Sequence, residues 1–132
     1  GINKIQPIWA DHYFKTIENA KMGLNLSRGK AIKYYSSDRI TQIVGNGLVC
    51  LIDEKTQYRD FFNDNEMVFY KNINDLSEKI LKISRDEKLR KHIERNGKAK
   101  YMKHFNSNII AEFIINKTLD INTKRKYFWH GK

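Results

Sequence analysis

The chain has 132 residues, the size of one domain, and 40% of them are hydrophobic, which is enough for a packed core. This composition argues against a disordered protein, and no apolar run in the sequence is long enough to span a bilayer. The formal net charge of +10 predicts attraction to polyanions: nucleic acid, anionic lipid or phosphorylated small molecules.

Hydrophobic periodicity predicts helices that alternate with strands, followed by helices alone at the C-terminal end. In chain order, the predicted elements are helix 11–20, strand 22–27, helix 38–46, strand 48–52, helix 55–62, strand 67–70, and helices 74–84, 86–103 and 107–118. Strands that alternate with helices imply right-handed crossovers and a parallel sheet. The predicted fold is therefore α/β, a Rossmann-like parallel sheet flanked by helices.

Particular residues are expected to set the limits of these elements. Ser37 is a good cap for the second helix, and Gly47 is a good terminator for it. Asn74 or Asp75 is the expected cap of the fourth helix. Gly97 is expected to break or bend the long charged helix that follows.

The two ends of the chain suggest its organisation. The chain begins at Gly1 without a methionine, which predicts a piece of a longer protein, and one or two further strands are expected upstream. Residues 1–118 are predicted to form one domain, and residues 119–132 a basic and aromatic tail. The tail could bind lipid headgroups or nucleic acid, and it could equally be a loosely docked end.

The segment SSDR, residues 36–39, predicts an anion site. It follows the first strand and begins a helix, and ligands of open parallel sheets bind beyond the carboxyl ends of the strands. A helix N-terminus attracts anions through its free N–H groups and its dipole. Ser36 and Ser37 add hydroxyl donors, and Arg39 adds a guanidinium suited to phosphate.

The same helix carries further polar residues on the side opposite its apolar stripe. Arg39, Gln42 and Asn46 share that side, and Gly45 and Gly47 would let a ligand or a backbone approach closely. A simpler interpretation is that the serines are caps, Gly-Asn-Gly stops the helix, and Arg39 lies on a solvated face. Neither GxxxxGK[ST] nor GxGxxG is present, so the spacing leaves both interpretations open.

Other side chains indicate a site less strongly. The four histidines lack metal-ligand spacing, so no metal site is predicted. Asp53 and Glu54 follow the second strand and could contact a hydroxylated ligand, although a turn or cap is the simpler interpretation. Cys50 lies in an apolar run and is predicted to be an inert core residue in a reducing compartment such as the cytosol.

Three segments carry a resemblance to a known family: GLNLSRGKAIKYYSSDRITQIVGNGLVCLID, YRDFFNDNEMVFYKNINDLSEKI and IERNGKAKYMKHFN. Together they resemble the C-terminal half of bacterial group 1 glycosyltransferases, and most closely the spore-maturation-protein-like (CgeB-like) branch. The resemblance covers about residues 7–118. It implies the GT-B architecture, in which two Rossmann-like domains face a cleft and the C-terminal domain binds the nucleotide-sugar donor.

The family pattern has an arginine, an acidic residue three positions on, and then small-x-Gly. Arg39 matches the arginine, residues 45–47 match the glycine motif, and Gln42 takes the acidic position. The family's acidic residue binds the donor ribose, and glutamine can still hydrogen-bond there without a charge. Further matches are Phe61-Phe62, Glu66 to Tyr70, Asn96-Gly97 and His104-Phe105.

The resemblance implies transfer of a sugar from a nucleotide-sugar, such as a UDP-sugar, to a hydroxyl of a polysaccharide, lipid or protein glycan. Arg28 and Arg39 would neutralise the leaving diphosphate, with Ser36, Ser37 and the helix N-terminus as further phosphate ligands. Gln42 would hold the ribose, with Asn46 and Gly47 on the same side, and no metal or other cofactor is implied. Tyr34 or Tyr35 would stack on the base, although both fit a core position equally well.

The resemblance also implies a missing partner domain. In GT-B enzymes the general base usually comes from the N-terminal domain, so this fragment alone is predicted to bind the donor without transferring the sugar. The predicted location is the cytoplasm, with peripheral contact at the inner face of the membrane as a further option, and the predicted process is synthesis of cell envelope glycans.

Two other classes of protein stay open. The net charge and the tail would suit a nucleic-acid-binding module, but the basic residues do not gather around aromatics and no RNA- or DNA-binding motif is present. A doubly wound regulatory domain would need acidic residues clustered at the strand ends, and only Asp53 and Glu54 fit. Nucleic acid is therefore not the predicted partner.

Overall fold

The computed structural model describes residues 7–26, 29–35 and 37–131. Its elements, in chain order, are α1 (Ala10–Asn19), β1 (Met22–Asn25), α2 (Asp38–Gly45), β2 (Val49–Asp53), two 3₁₀ turns (Glu54–Thr56 and Tyr58–Asp60), β3 (Val68–Tyr70), α3 (Ile73–Arg85), α4 (Glu87–His104) and α5 (Ser107–Thr118). The strands form a three-stranded parallel sheet in the order β1-β2-β3. The predicted α/β fold, a parallel sheet flanked by helices, is confirmed.

The central strand β2 is buried on both of its faces. Cys50 and Ile52 enter a cluster that α2 and the 3₁₀ turns help to build, whereas Val49 and Leu51 enter a second cluster with α3. A strand with no solvated side has no reason to alternate polar and apolar residues. This explains why residues 48–52 read as a continuous apolar run.

Cys50 is fully buried in β2, as predicted, and burial raises the pKa of its thiol to about 12. The thiolate is the reactive species, so very little of it is present at neutral pH. We expect Ellman's reagent to leave the folded protein unmodified at pH 7.5 and to label the thiol fully once denaturant unfolds the chain. Rapid labelling of the native protein would contradict this burial.

The segment 55–62 was predicted to be a helix, and this prediction is wrong. It forms two separate 3₁₀ turns because Gln57 adopts a left-handed conformation with φ +57° between them. Asp53 begins the first turn, where its side chain accepts a hydrogen bond from the backbone N–H of Lys55 at 2.8 Å. Glu54 lies 3.9 Å from Arg59. Asp53 thus has a cap role here, which matches the simpler interpretation of this residue.

The start of α3 also differs from the prediction. Asn72 is its cap, and the Asn72 side chain accepts hydrogen bonds from the N–H groups of Asn74 and Asp75 at 3.0 Å each. The prediction that Asn74 or Asp75 caps this helix was therefore wrong. The carboxylate of Asp75 instead accepts from the N–H of Lys71 and pairs with Lys79, which lowers its pKa.

Gly97 was predicted to break or bend its helix. α4 runs without interruption from Glu87 to His104, so a break at Gly97 is wrong. Gly97 is buried against Glu66, which lies two residues before β3: a Cβ atom at position 97 would lie 2.4 Å from the carbonyl oxygen of Glu66. One turn later, Lys100 pairs with the Glu66 carboxylate at 2.9 Å. The glycine therefore allows two segments of backbone to come close together.

Part of the C-terminal tail packs against the last two helices. Tyr127 is 5% exposed, and its hydroxyl hydrogen-bonds with Asn116 at 3.0 Å and Glu112 at 3.2 Å. The next two residues stack on the end of α4, Phe128 on His104 and Trp129 on Phe105. These contacts hold residues 127–129 against the domain.

α5 is apolar on more than one side. Phe113 packs edge-on against Tyr127 and Trp129, while Ile114 and Ile115 are 55% and 52% exposed. The helix has 12 residues, against the roughly 20 needed for a membrane span. Within the ranges that the structure describes, no helix combines the length and the apolar character needed to cross a bilayer.

Candidate functional site

A hollow of about 350 Å³ lies at the N-terminal end of α2, and we call it the α2 hollow. It is lined by residues of α1 and the chain before it, and by residues at the start of α2: Ile8, Trp9, Ala10, Tyr13, Ser37, Asp38, Arg39 and Gln42. α2 begins after the carboxyl end of β1, the edge at which parallel sheets bind ligands. The structure therefore brings Ser37, Arg39 and Gln42 together at this edge.

Ser37 occupies the cap position of α2, but its side chain does not cap the helix. Its Oγ donates to Oδ1 of Asn25, the last residue of β1, at 3.1 Å. The hydroxyl thus ties the start of the helix to the end of the strand. The N–H of Ile40 already donates to the Ser37 carbonyl at 3.0 Å, so the N–H groups of Asp38 and Arg39 are those that the start of α2 offers to water or to a ligand.

Arg39 is exposed and is held on one side by the chain beyond β1. Its Nη1 donates to the carbonyl oxygen of Leu26 at 2.7 Å. A guanidinium has five N–H donors, so this bond leaves four for other acceptors. The bond also restricts the side chain, which lowers the conformational entropy that Arg39 would lose on binding an anion.

The charge of the α2 hollow is balanced by its own residues. Asp38 lines it beside Arg39, so the formal charges of the described lining residues cancel. Attraction of an anion must then come from the uncapped helix N-terminus and from direct contact with Arg39, rather than from a general positive field. The Gln42 side chain adds an amide that can both donate and accept.

Several of the predicted ligand residues are elsewhere or are not described. Arg28 and Ser36 lie outside the described residues. Asn46 and Gly47 follow the other end of α2, roughly 10 Å from Arg39 at 1.5 Å per residue. Gly47 has φ +82°, as suits its predicted role as terminator, and faces Lys98 of α4. The structure does not bring Asn46 and Gly47 to the α2 hollow.

The two tyrosines predicted to stack on a base lie apart from the α2 hollow. Tyr34 lines a separate aromatic cavity of about 520 Å³ on the side of α2 that carries Ile40. Its ring packs edge-on against Phe61 with centroids 4.9 Å apart, and its hydroxyl donates to Asp60, which raises the pKa of the phenol. Tyr35 is half-buried and does not line the α2 hollow. The core interpretation therefore suits Tyr34.

Sequence reasoning missed other residues of this site. Trp9 and Tyr13 line the α2 hollow, and the Trp9 side chain is 76% exposed. Asp38 also lines it, although its position before an apolar stripe indicated only a cap. Asn25 lies inside the predicted strand 22–27, and the available signal is a lone amide within that run.

No group of three or more His, Cys, Asp or Glu residues that could hold a metal ion occurs in residues 7–26, 29–35 and 37–131.

Comparison with family models gives a match to the family described as glycosyl transferase-like, over residues 1–116. Searches of curated proteins and of solved structures found no match.

Proposed function

Since the chain belongs to the glycosyl transferase-like family, we propose that the α2 hollow binds the diphosphate and ribose of a nucleotide-sugar donor. Membership of the family supports glycosyl transfer, and the class of donor is our proposal. The observation that carries it is that Ser37, Arg39 and Gln42 line one hollow at an uncapped helix N-terminus. These groups match the negative charge and the hydroxyls of such a donor.

The phosphate end of the donor would lie at the first turn of α2. When the bond between the sugar and the diphosphate breaks, its electron pair stays on the diphosphate oxygen, where negative charge grows. The N–H groups of the helix N-terminus and the Arg39 guanidinium would stabilise that charge without a metal or other cofactor. Arg28 and Ser36, which adjoin this region in the sequence, are proposed as further phosphate ligands.

The nucleoside end would extend toward Gln42 and α1. Gln42 and the carboxylate of Asp38 line the same hollow and would hydrogen-bond to the ribose hydroxyls. The exposed Trp9 ring offers a face on which a base can stack, a contact usually worth about 1–3 kcal/mol. We therefore assign base stacking to Trp9 in place of Tyr34 or Tyr35.

Transfer also needs an acceptor and a base. We propose that the acceptor is a hydroxyl of a polysaccharide, lipid or protein glycan, and that a general base from an N-terminal domain deprotonates it. Residues 1–132 alone are then expected to bind the donor without turnover. Such an enzyme would act in the cytoplasm, with peripheral contact at the inner face of the membrane, in the synthesis of cell envelope glycans.

Isothermal titration with UDP, GDP and ADP tests the donor site. We expect UDP to bind with a Kd between about 10 μM and 1 mM, that is about −4 to −7 kcal/mol, because only part of a donor is present. Uridine is the control, and its lack of phosphates should weaken binding at least roughly tenfold. No heat with any of the three nucleotides at millimolar concentration would contradict the proposal.

The net charge of +10 is the observation that favours a nucleic-acid-binding module as the second candidate. Binding through phosphate contacts weakens steeply as salt rises, because bound cations are released from the nucleic acid. A gel shift with that salt dependence, together with no UDP binding, would favour the nucleic-acid module over the donor site.

A further inference from the structure

The side-chain amide of Asn25 is buried and only half satisfied. The residue is 1% exposed, and its Oδ1 accepts the hydrogen bond from Ser37. Its Nδ2 has no hydrogen-bond partner in the part of the chain that the structure describes. In either orientation one end of the amide bonds Ser37, and the other end has no partner among the described residues.

The same hydrogen bond prevents Ser37 from donating to an anion. A hydroxyl has one proton, and here that proton is directed at Asn25. An anion at the N-terminus of α2 would compete with Asn25 Oδ1 for it. Ser37 lines the α2 hollow, so the competition concerns the phosphate position of the proposed donor site.

Rotation of the Asn25 amide by half a turn frees the Ser37 proton and exchanges the unpartnered donor for an unpartnered acceptor. Nδ2 then donates to Ser37 Oγ, and the Ser37 proton becomes free for the anion, while the atom without a partner becomes a carbonyl oxygen. The rotation needs little repacking, because the two ends of a carboxamide are similar in size and the terminal torsion is soft.

We propose that Asn25 is a positioning residue for donor binding, which turns its amide to direct the Ser37 hydroxyl toward a phosphate of the donor. This inference rests on the proposed donor site. It assigns a role to the end of β1 that no charge or motif indicates, and it makes Asn25 act through Ser37 without touching the donor.

Asn25→Asp tests the role, because it keeps the size of the side chain and removes the donor group. At pH 8 the carboxylate can only accept, so we expect the UDP Kd to rise roughly 10- to 100-fold relative to the wild type. Burial at this 1% exposed position should raise the pKa of the new carboxyl above its ordinary value of about 3.9, so that its O–H can donate again in mild acid. The ratio of the two Kd values should then fall toward about 3 or less by pH 4.5. A ratio that is independent of pH would overturn the inference.

Comparison with Ser37→Ala separates positioning from simple repulsion by the new charge. Asn25→Asp raises the UDP Kd by some factor in each protein. If Asn25 acts through Ser37, that factor should be at least about fivefold smaller in the Ser37→Ala protein than in the wild type. Equal effects in both proteins would overturn the inference.

In the wild type, UDP should shift the Asn25 side-chain amide resonances in ¹⁵N NMR more than uridine does.

The NMR measurement needs no variant, so it decides the matter even if Asn25→Asp fails to fold: unchanged amide resonances at saturating UDP would also overturn the inference. The two levels of proposal remain distinguishable. No UDP binding by the wild type removes the donor site and this role with it, whereas binding without the pH effect removes only the role of Asn25.

Discussion

Replacing Arg39 by alanine is expected to weaken UDP binding roughly 10- to 100-fold. Hydrogen bonds to charged groups contribute about 1.5–3 kcal/mol, and each 1.4 kcal/mol corresponds to a factor of ten in Kd. Arg39 is already held beside the α2 hollow by its bond to Leu26, so it needs little ordering to reach a phosphate. Titration of both proteins with UDP at one fixed salt concentration measures the effect.

Arg95→Ala is the matched control, because Arg95 is an exposed arginine on α4 that does not line the α2 hollow. Both variants lower the net charge by one. If the site is specific, Arg95→Ala should change the UDP Kd less than about twofold, in line with the small effect of a distant screened charge. Equal losses would indicate general attraction by net charge, and an unchanged Kd for Arg39→Ala would remove Arg39 from the site.

Local signals in the sequence were sufficient for α2 and β2. α2 ends within one residue of its predicted limit, because Gly47 takes a positive φ that stops a helix. Its buried residues are the predicted stripe: Ile40, Ile43 and Val44. The same periodicity placed Arg39 and Gln42 on the opposite side, which is the side that lines the α2 hollow.

The predictions that failed depend on backbone conformation or on distant contacts. The amino-acid sequence of segment 55–62 does not require Gln57 to take φ +57°, yet this conformation divides the expected helix in two. Gly97 was predicted to break or bend its helix, yet α4 continues through it, and a close contact with Glu66, 31 positions earlier in the chain, explains the glycine. Periodicity carries no information on such contacts.

The site shows the same division between local and distant information. Helical periodicity placed Asn46 on the same side as Arg39, but position along the helix axis separates the two. Trp9 and Tyr13 join the α2 hollow only because α1 lies beside the start of α2, and no local pattern indicates that packing. Asn25 gains its role from a contact with Ser37, which folding brings next to the end of β1.

Gly97→Ala is expected to lower the free energy of unfolding by about 3 kcal/mol, at the upper end of the usual range for overpacking. The added Cβ would lie 2.4 Å from the Glu66 carbonyl oxygen. That neighbour is backbone at the entry to β3, so no side-chain rotation can relieve the clash, and α4 must move away. Thermal unfolding followed by circular dichroism should show a Tm lower by roughly 10 °C.

Gly45→Ala is the matched control, since it makes the same exchange at the last residue of α2. There the nearest atom to the new Cβ is the Cε of Met102, at 3.8 Å, which is ordinary contact with a flexible side chain. Alanine also favours a helix over glycine by up to about 1 kcal/mol, so we expect an unchanged or slightly higher Tm. A Tm for Gly97→Ala as high as that of Gly45→Ala would mean that α4 and the segment at Glu66 are not in close contact.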